Sequence, residues 1–590
     1  MSKTVTNRGG QMDRIERLEA ALTIEWAQVD SVHVDAVRRL TGPGLIWDRP
    51  GAVMDLFFEV ADRDAVAVAW AEHARRVLDA LGWQDEAVIC RNFQGGANLA
   101  ISAPMDQLYS ATFAAKAAWH HAAAELSKTN PLPFERMIQQ IKDVLAQEEN
   151  PALIALFHEA QSRGVDILCD DDEVSIGHGT ASQTWPEAEL PAPDAVNWPA
   201  LYDVPLALIT GTNGKTTTTR LCAAIGRAAG KTVGLTTTDV VQVGEDVLDR
   251  GDYSGPGGAR MVLRDERVQI AFLEVARGGI LRRGLATRHA QVAAVTNIAR
   301  DHLGEYGVMT LADLAQAKFT VARGLKPGGI LVLNADDAAV VHAADGIAQT
   351  IAWFSLDPAA PQITQARALG QSCAYANEGA LTFFDGTAEA WSIPVADIPI
   401  TLSGAARHNV QNALAAGAIC LALGLPQAAV REGLSQFVSS PSDNPGRFNE
   451  FRHNGARIFI DFAHNPHSIA AVCDALAEIP SRRRLLMLSQ PGDRSDQDIA
   501  DAARTALRFR PDTIIVAEIA DYLRGRALSE TPDLIAATAI ATGIDPNDIV
   551  YANTPSDGVL VALEQMQPGD LALLLVLSDR DRVFDMLASS

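Results

Sequence analysis

Cysteine is scarce: the 590 residues hold six, at 90, 169, 222, 373, 420 and 473. Their spacing suits neither a disulfide scaffold nor a cysteine-ligated metal, so a reducing compartment is expected. Aromatic residues make up only 6% while apolar residues reach 48%, the balance of an ordinary α/β protein rather than of a fibre or a disordered chain. No hydrophobic run is long enough to cross a bilayer, because the longest strongly apolar stretch, Leu571 to Leu577, has seven residues. The opening MSKTVTNRGGQMDRIERLE lacks the continuous apolar segment of a secretory signal. The cytoplasm is the expected location. Positive charge is also short, with 49 Lys and Arg against 73 Asp and Glu and a net charge of -24. That excess argues against broad adhesion to nucleic acid or anionic membrane, although a local basic pocket can still hold ATP.

The most informative stretch is Leu206 to Arg220, LALITGTNGKTTTTR. An apolar strand breaks into Gly211-Thr212-Asn213-Gly214, followed by Lys215, Thr216 and Thr217. This G-x-x-G-K-T is shorter between its glycines than the usual P-loop, but the physics is the same. Glycines let the backbone turn so that N–H groups face phosphate oxygens, and the following helix adds its positive N-terminal end. Lys215 can reach the outer phosphates and Thr216 can offer its hydroxyl to magnesium. The motif predicts nucleotide binding without choosing among kinase, hydrolase and ligase.

Length and composition predict several domains. Residues 1–130 read as an α/β N-terminal domain, with Leu56 to Val60 as strand and Asp64 to Leu81 and Tyr109 to Leu126 as helices. His120 and His121 are adjacent, so they do not share a helical face and no metal site is expected of them. Residues 131–184 read as a short α/β appendix. Residues 185–204, with prolines at 186, 191, 193 and 199, read as a linker. Residues 205–445 form the expected nucleotide-binding domain, with strands at Leu206 to Thr210, Val268 to Leu273, Val292 to Asn297 and Ile330 to Asn334. Such continuous apolar strands suit a sheet covered on both faces, with ligands beyond the strands' carboxyl ends. Residues 446–590 read as a smaller Rossmann-like domain without a complete dinucleotide fingerprint.

Glu274 ends the second of those strands and Asp301-His302 follows the third, which brings polar groups to the P-loop rim. Glu274 and Thr216 are expected magnesium ligands, and His302 could join them or hold a metal-bound water. Lys318, on the helix after that rim, could contact phosphate, carry a carbamate and become a metal ligand, or face solvent along its aliphatic stem. Asn409 and Asn412 share one helical face and could read a base or cap the helix. Arg447 could cover phosphate charge, and Asp461 could accept ribose hydrogen bonds.

These motifs, GTNGKTTTTR, LEVARGGILRRGL, NIARDHLG, LAQAK, HNVQNALAA, PGRF and DFAHNP, occur in the order seen in the Mur ligase family, which the chain resembles over roughly 205–590. LTTTD at 235–239 and GDYSGPGGARMVLRD at 251–265 are most similar to the Mur-like half of the cyanophycin synthetases. The resemblance implies an ADP-forming amide ligase in which ATP phosphorylates a carboxylate and an amine attacks the acyl phosphate. It also implies that Lys215 and Thr216 bind phosphate and magnesium, and that Glu274 and His302 bind magnesium. Lys318 then corresponds to an often carbamylated lysine, and Asn409, Asn412, Arg447 and Asp461 face the nucleotide. Residues 40–130 and the run from FERMIQQI to SIGHGT resemble the N-terminal part of the same group. The P-loop follows almost at once and leaves no room for an ATP-grasp module, so cyanophycin synthesis by this polypeptide alone is not expected. An aspartate-containing peptide is the first acid to consider and a cationic amine such as arginine or lysine the first donor. The protein could form a homo-oligomer or work beside a partner synthetase. The competing readings are a nucleotide-binding scaffold for another synthetase and a small-molecule kinase.

Overall fold

The computed structural model describes residues 17–18, 27–58, 63–301, 303–386 and 390–588. The two final residues of the expected strand Leu56 to Val60, and His302, lie outside them.

The N-terminal unit is a four-stranded antiparallel sheet in the order Val32–Leu40, Gly51–Phe58, Gly96–Ser102, Val88–Phe93. Helices Arg63–Leu81 and Leu108–Ser127 cover it, burying Trp70, Leu78, Phe113 and Trp119. The amphipathic helix Phe134–Glu148 inserts Met137, Ile138 and Ile141 into that same core. Among the described residues, no helix is long and apolar enough to cross a membrane.

The proline-rich stretch before the P-loop is packed. Its prolines start short 3-10 turns that turn Val196, Trp198 and Leu201 onto Leu156, Ala160 and Ile176. Apolar burial fastens a segment whose composition reads as a linker.

The central domain is an eleven-stranded sheet. Seven parallel strands, in the order Val233–Thr236, Ile270–Glu274, Leu206–Thr210, Ala290–Val295, Leu325–Asn334, Thr350–Ser355, Cys373–Asn377, form its middle. Antiparallel strands extend both edges. Leu206–Thr210 is buried at every position, as expected for a central parallel strand with helices on both faces. The edge strand Asp246–Arg250, paired on one side only, is exposed throughout.

The C-terminal domain is a six-stranded sheet in the order Asn449–His453, Ala456–Asp461, Leu571–Leu575, Arg484–Leu488, Thr513–Ala517, Ile549–Ala552, parallel except for its first pair. The N-terminal sheet docks on the central domain just after Asp301. Arg91 donates to the Gly307 carbonyl at 3.0 Å and pairs with Asp313 at 2.7 Å, while Arg38 grips the buried Asp55 and stacks 4.9 Å from the Tyr306 ring.

Candidate functional site

A cleft of about 550 Å3 lies between the central and C-terminal domains, floored by the P-loop. The loop leaves the central strand Leu206–Thr210, and helix Lys215–Ala228 begins directly after Gly214. Gly214 has a φ of 81°, and a Cβ there would collide with the Asn412 side-chain oxygen, so glycine is required twice over. The helix has no side-chain cap, which leaves its first N–H groups available to an anion. The loop is held from behind: Asn297 accepts from the Asn213 N–H at 2.8 Å and donates to the Asn213 carbonyl at 2.9 Å, and Thr296 donates to that carbonyl at 2.7 Å.

Thr212, Asn213, Gly214, Lys215, Thr216, Thr217, Glu274, Asn409, Asn412, Arg447 and Asp461 all line this cleft. Thr216 Oγ1 donates to Glu274 Oε2 at 2.8 Å, whereas Glu274 Oε1 is buried with no hydrogen-bond partner. Burial pushes the Glu274 carboxyl up, against the opposing pull of Lys215 and Thr216. A hydroxyl beside an unsatisfied buried carboxylate oxygen is a fitting pair of oxygen donors for a hard cation such as magnesium. Among the described residues, no three His, Cys, Asp or Glu side chains form a ready-made metal cage. Magnesium does not require one, because it keeps waters and takes phosphate oxygens.

Lys215 Nζ donates to the Thr212 carbonyl at 3.0 Å, folded back over its own loop. Gly211 and Lys318 meet behind the loop, where the buried Lys318 Nζ donates to the Gly211 carbonyl at 2.7 Å. Lys318 is thus not a solvent-facing lysine. Burial first, then the charge of Lys215, push its amine well below the ordinary lysine range; Asp301 pulls the other way, and Arg277 adds a smaller push down.

Asn409 and Asn412 share a face of helix Arg407–Ala422 and bond each other at 3.1 Å. Neither caps that helix, whose cap position is Ala406 with no side-chain hydrogen bond. Asn409 instead ties to the Ile400 carbonyl at 3.1 Å, and Asn412 lies against the P-loop glycine.

From the other wall, Arg447 places its guanidinium 4.9 Å from the Phe462 ring centre. Asp461 ends strand Ala456–Asp461 and accepts the N–H groups of Phe448 and Ala463, both at 2.7 Å. Both of its oxygens therefore already hold backbone. Burial pushes its carboxyl up to about 6 despite Arg447 and those two N–H donors.

The structure adds residues that local sequence did not single out. Asn465 and His467 reach Asn213 from the C-terminal domain, and Arg494 pairs with Asp301 at 2.8 Å. His408, also in the cleft, is pushed down to about 4 by burial and by His467. Asn465 lay within a quoted motif, whereas Arg494 carried no local signal because its partner is 193 positions away.

Residues 209–420 match the Mur ligase middle domain, and residues 446–575 match the Mur ligase glutamate ligase domain. The chain is 40% identical over 336 residues to a cyanophycin synthetase of Synechocystis sp., covering 56% of this chain and 38% of that protein. It is 37% identical over 372 residues to a cyanophycin synthetase of Crocosphaera subtropica, covering 63% and 42%. It is 27% identical over 394 residues to the UDP-N-acetylmuramoyl-L-alanyl-D-glutamate–2,6-diaminopimelate ligase of Geobacter metallireducens, covering 63% and 73%. The chain spans about two fifths of the length of these cyanophycin synthetases.

Proposed function

Residues 209–420 and 446–575 of this chain belong to the Mur ligase family, and from that premise we propose that the protein is an ATP-dependent, ADP-forming carboxylate–amine ligase working through an acyl phosphate. One observation carries the reading. The P-loop, with Thr216 beside the half-satisfied Glu274, faces Arg447 across a cleft closed by the C-terminal domain.

A carboxylate is a poor electrophile because its charge repels a nucleophile and its oxide leaves badly. Attack of a carboxylate oxygen on the γ-phosphorus of ATP gives an acyl phosphate and releases ADP. The neutral amine then attacks the acyl carbon, phosphate departs, and a proton leaves the nitrogen as the amide forms. Lys215 and Arg447 offset the phosphoryl charge, and the P-loop N–H groups hold the phosphates. Thr216 and Glu274 would hold magnesium, with His302 and a carbamylated Lys318 as further ligands; the ion would supply charge neutralisation at the phosphates. Burial disfavours the charged form of the Lys318 amine, and the neutral amine is the form that adds to carbon dioxide. The Asn213–Asn465 and Asp301–Arg494 contacts close the cleft, which keeps water from the acyl phosphate.

The substrates we propose are an amino-acid or peptide carboxylate, first an aspartate-containing peptide, and a small amine such as arginine or lysine. The relatives named cyanophycin synthetase motivate this choice. The test is incubation with ATP, magnesium, pooled peptide acids and amino acids, followed by mass spectrometry and assays of ADP and phosphate. One amide per ADP is expected. ATP turnover that never yields an amide across the screen sinks the reading. A stable phosphorylated acid formed without amine would make the protein a kinase, and nucleotide binding without chemistry in an obligatory complex would make it a scaffold.

A further inference from the structure

One side chain crosses the hinge between the central and C-terminal domains. Arg580, the first residue of the last helix Arg580–Ala588, lies over Pro445-Gly446. Gly446 has a φ of 69°, which favours glycine at this turn, and the Arg580 side chain packs closely over it, 2.9 Å from where a Cβ would stand. Arg580 Nη1 donates to the Pro445 carbonyl at 3.4 Å and, beyond the hinge, pairs with Asp239 at 2.7 Å.

Asp239 follows strand Val233–Thr236 of the central domain and lines the nucleotide cleft with its side chain only 8% exposed. Arg220, on the P-loop helix, stands 3.6 Å from its second oxygen and donates to the Asp443 carbonyl at 2.9 Å, just before the hinge. One buried carboxylate thus faces guanidinium groups from the P-loop helix and from the end of the C-terminal domain. Removing one partner of a buried ion pair costs far more than the pair contributes, because a desolvated charge is left behind. Burial works against the charge on Asp239, yet Arg447, Arg580 and Arg220 together hold its carboxyl below the usual range.

We infer that Asp239 is a positioning residue: through Arg580 it straps the C-terminal domain across the hinge and so keeps Arg447 and Asn465 over the P-loop. The strap rests on the ligase reading only for its purpose, since the closed arrangement exists whatever the substrate.

The test uses full-length wild type, Arg580→Gln, Arg580→Lys and Asp239→Asn. Small-angle X-ray scattering without nucleotide reads the domain arrangement, and equilibrium titration with magnesium AMP-PNP reads the site. Arg580→Gln and Asp239→Asn are expected to give a larger radius of gyration. They should also raise the AMP-PNP Kd roughly tenfold, as the closed fraction falls by that factor. Arg580→Lys keeps the charge and should recover most of both. If Asp239→Asn fails to fold, the half-buried Arg580 variants carry the test alone. Scattering from Arg580→Gln that superimposes on wild type overturns the strap, as does an Arg580→Lys protein no more closed than Arg580→Gln. A binding loss confined to Asp239→Asn also overturns it and makes Asp239 a direct contact of nucleotide or metal. Wild type that binds no AMP-PNP counts against the ligase reading, and scattering then decides the strap by itself.

Discussion

Asn213 of the P-loop and Asn465 of the C-terminal domain exchange a pair of amide hydrogen bonds, at 3.3 and 3.0 Å. Asn465 also caps helix Pro466–Leu476 by accepting from the Ser468 N–H at 2.9 Å. One side chain therefore starts a helix and closes a cleft, and two substitutions separate the tasks. Asn465→Ala should cost about 1 kcal/mol of stability through the lost cap. Asn465→Asp keeps the cap and should stay within about 0.5 kcal/mol of wild type, yet it places a carboxylate where phosphates are expected. Both should weaken AMP-PNP binding. Denaturant unfolding and nucleotide titration check this, and an Asn465→Asp protein that binds like wild type would remove the contact from the nucleotide site.

The one described hydrogen bond of the Lys215 side chain goes to its own loop, so Lys215→Ala should leave the fold intact. Amide formation should fall by on the order of a hundredfold, as when one charge-stabilising donor is removed. His302→Ala should likewise lower product while the protein still melts cooperatively. Gly214→Ala should cost about 1–2 kcal/mol, the order expected for a strained left-handed residue, besides colliding with Asn412. Near-normal ligation by either soluble variant of Lys215 or His302 would remove that residue from the role proposed.

Lys318 makes stability depend on pH in a known direction. Its folded-state pKa is depressed by burial, so between that value and the ordinary lysine value of about 10.4 the unfolded chain binds a proton that the folded chain does not. Stability should rise with pH across that window in wild type and less in Lys318→Met, measured by urea unfolding in buffer free of carbon dioxide. Parallel curves would show that the buried amine is not neutral. If Lys318 is carbamylated in the working enzyme, short carboxylates should partly restore turnover to Lys318→Ala, and a magnesium–ATP crystal structure with an unmodified Lys318 turned from the metal would reject that role.

Asp461 has the opposite sign for an acid. Its folded-state pKa of about 6 lies above the unfolded value, so the folded chain holds the extra proton and this group's contribution is lost as pH rises through about 6. The stability of wild type relative to Asp461→Asn should therefore fall from pH 4 to pH 7. A difference that stays constant would show that Asp461 is already ionised at pH 4.

The strand Leu206–Thr210 matches its sequence reading residue for residue. The placement of Glu274 at a strand end and of Asn409 and Asn412 on one helical face was equally legible. These features are local: an apolar run bounded by polar or glycine residues specifies a buried strand, and a three-residue spacing specifies a shared helical face. The pairings that close the cleft are not local. Arg580 reaches Asp239 across 341 positions and Asn465 reaches Asn213 across 252, and no periodicity in the chain encodes which distant charge or amide will meet which. The stretch 185–204 divides in the same way. Its prolines were visible, but whether Trp198 and Leu201 would be solvated or buried depended on the apolar surface of Leu156, Ala160 and Ile176 offered to them. Composition decides which side chains gain by leaving water, and only the assembled domains decide where they can go.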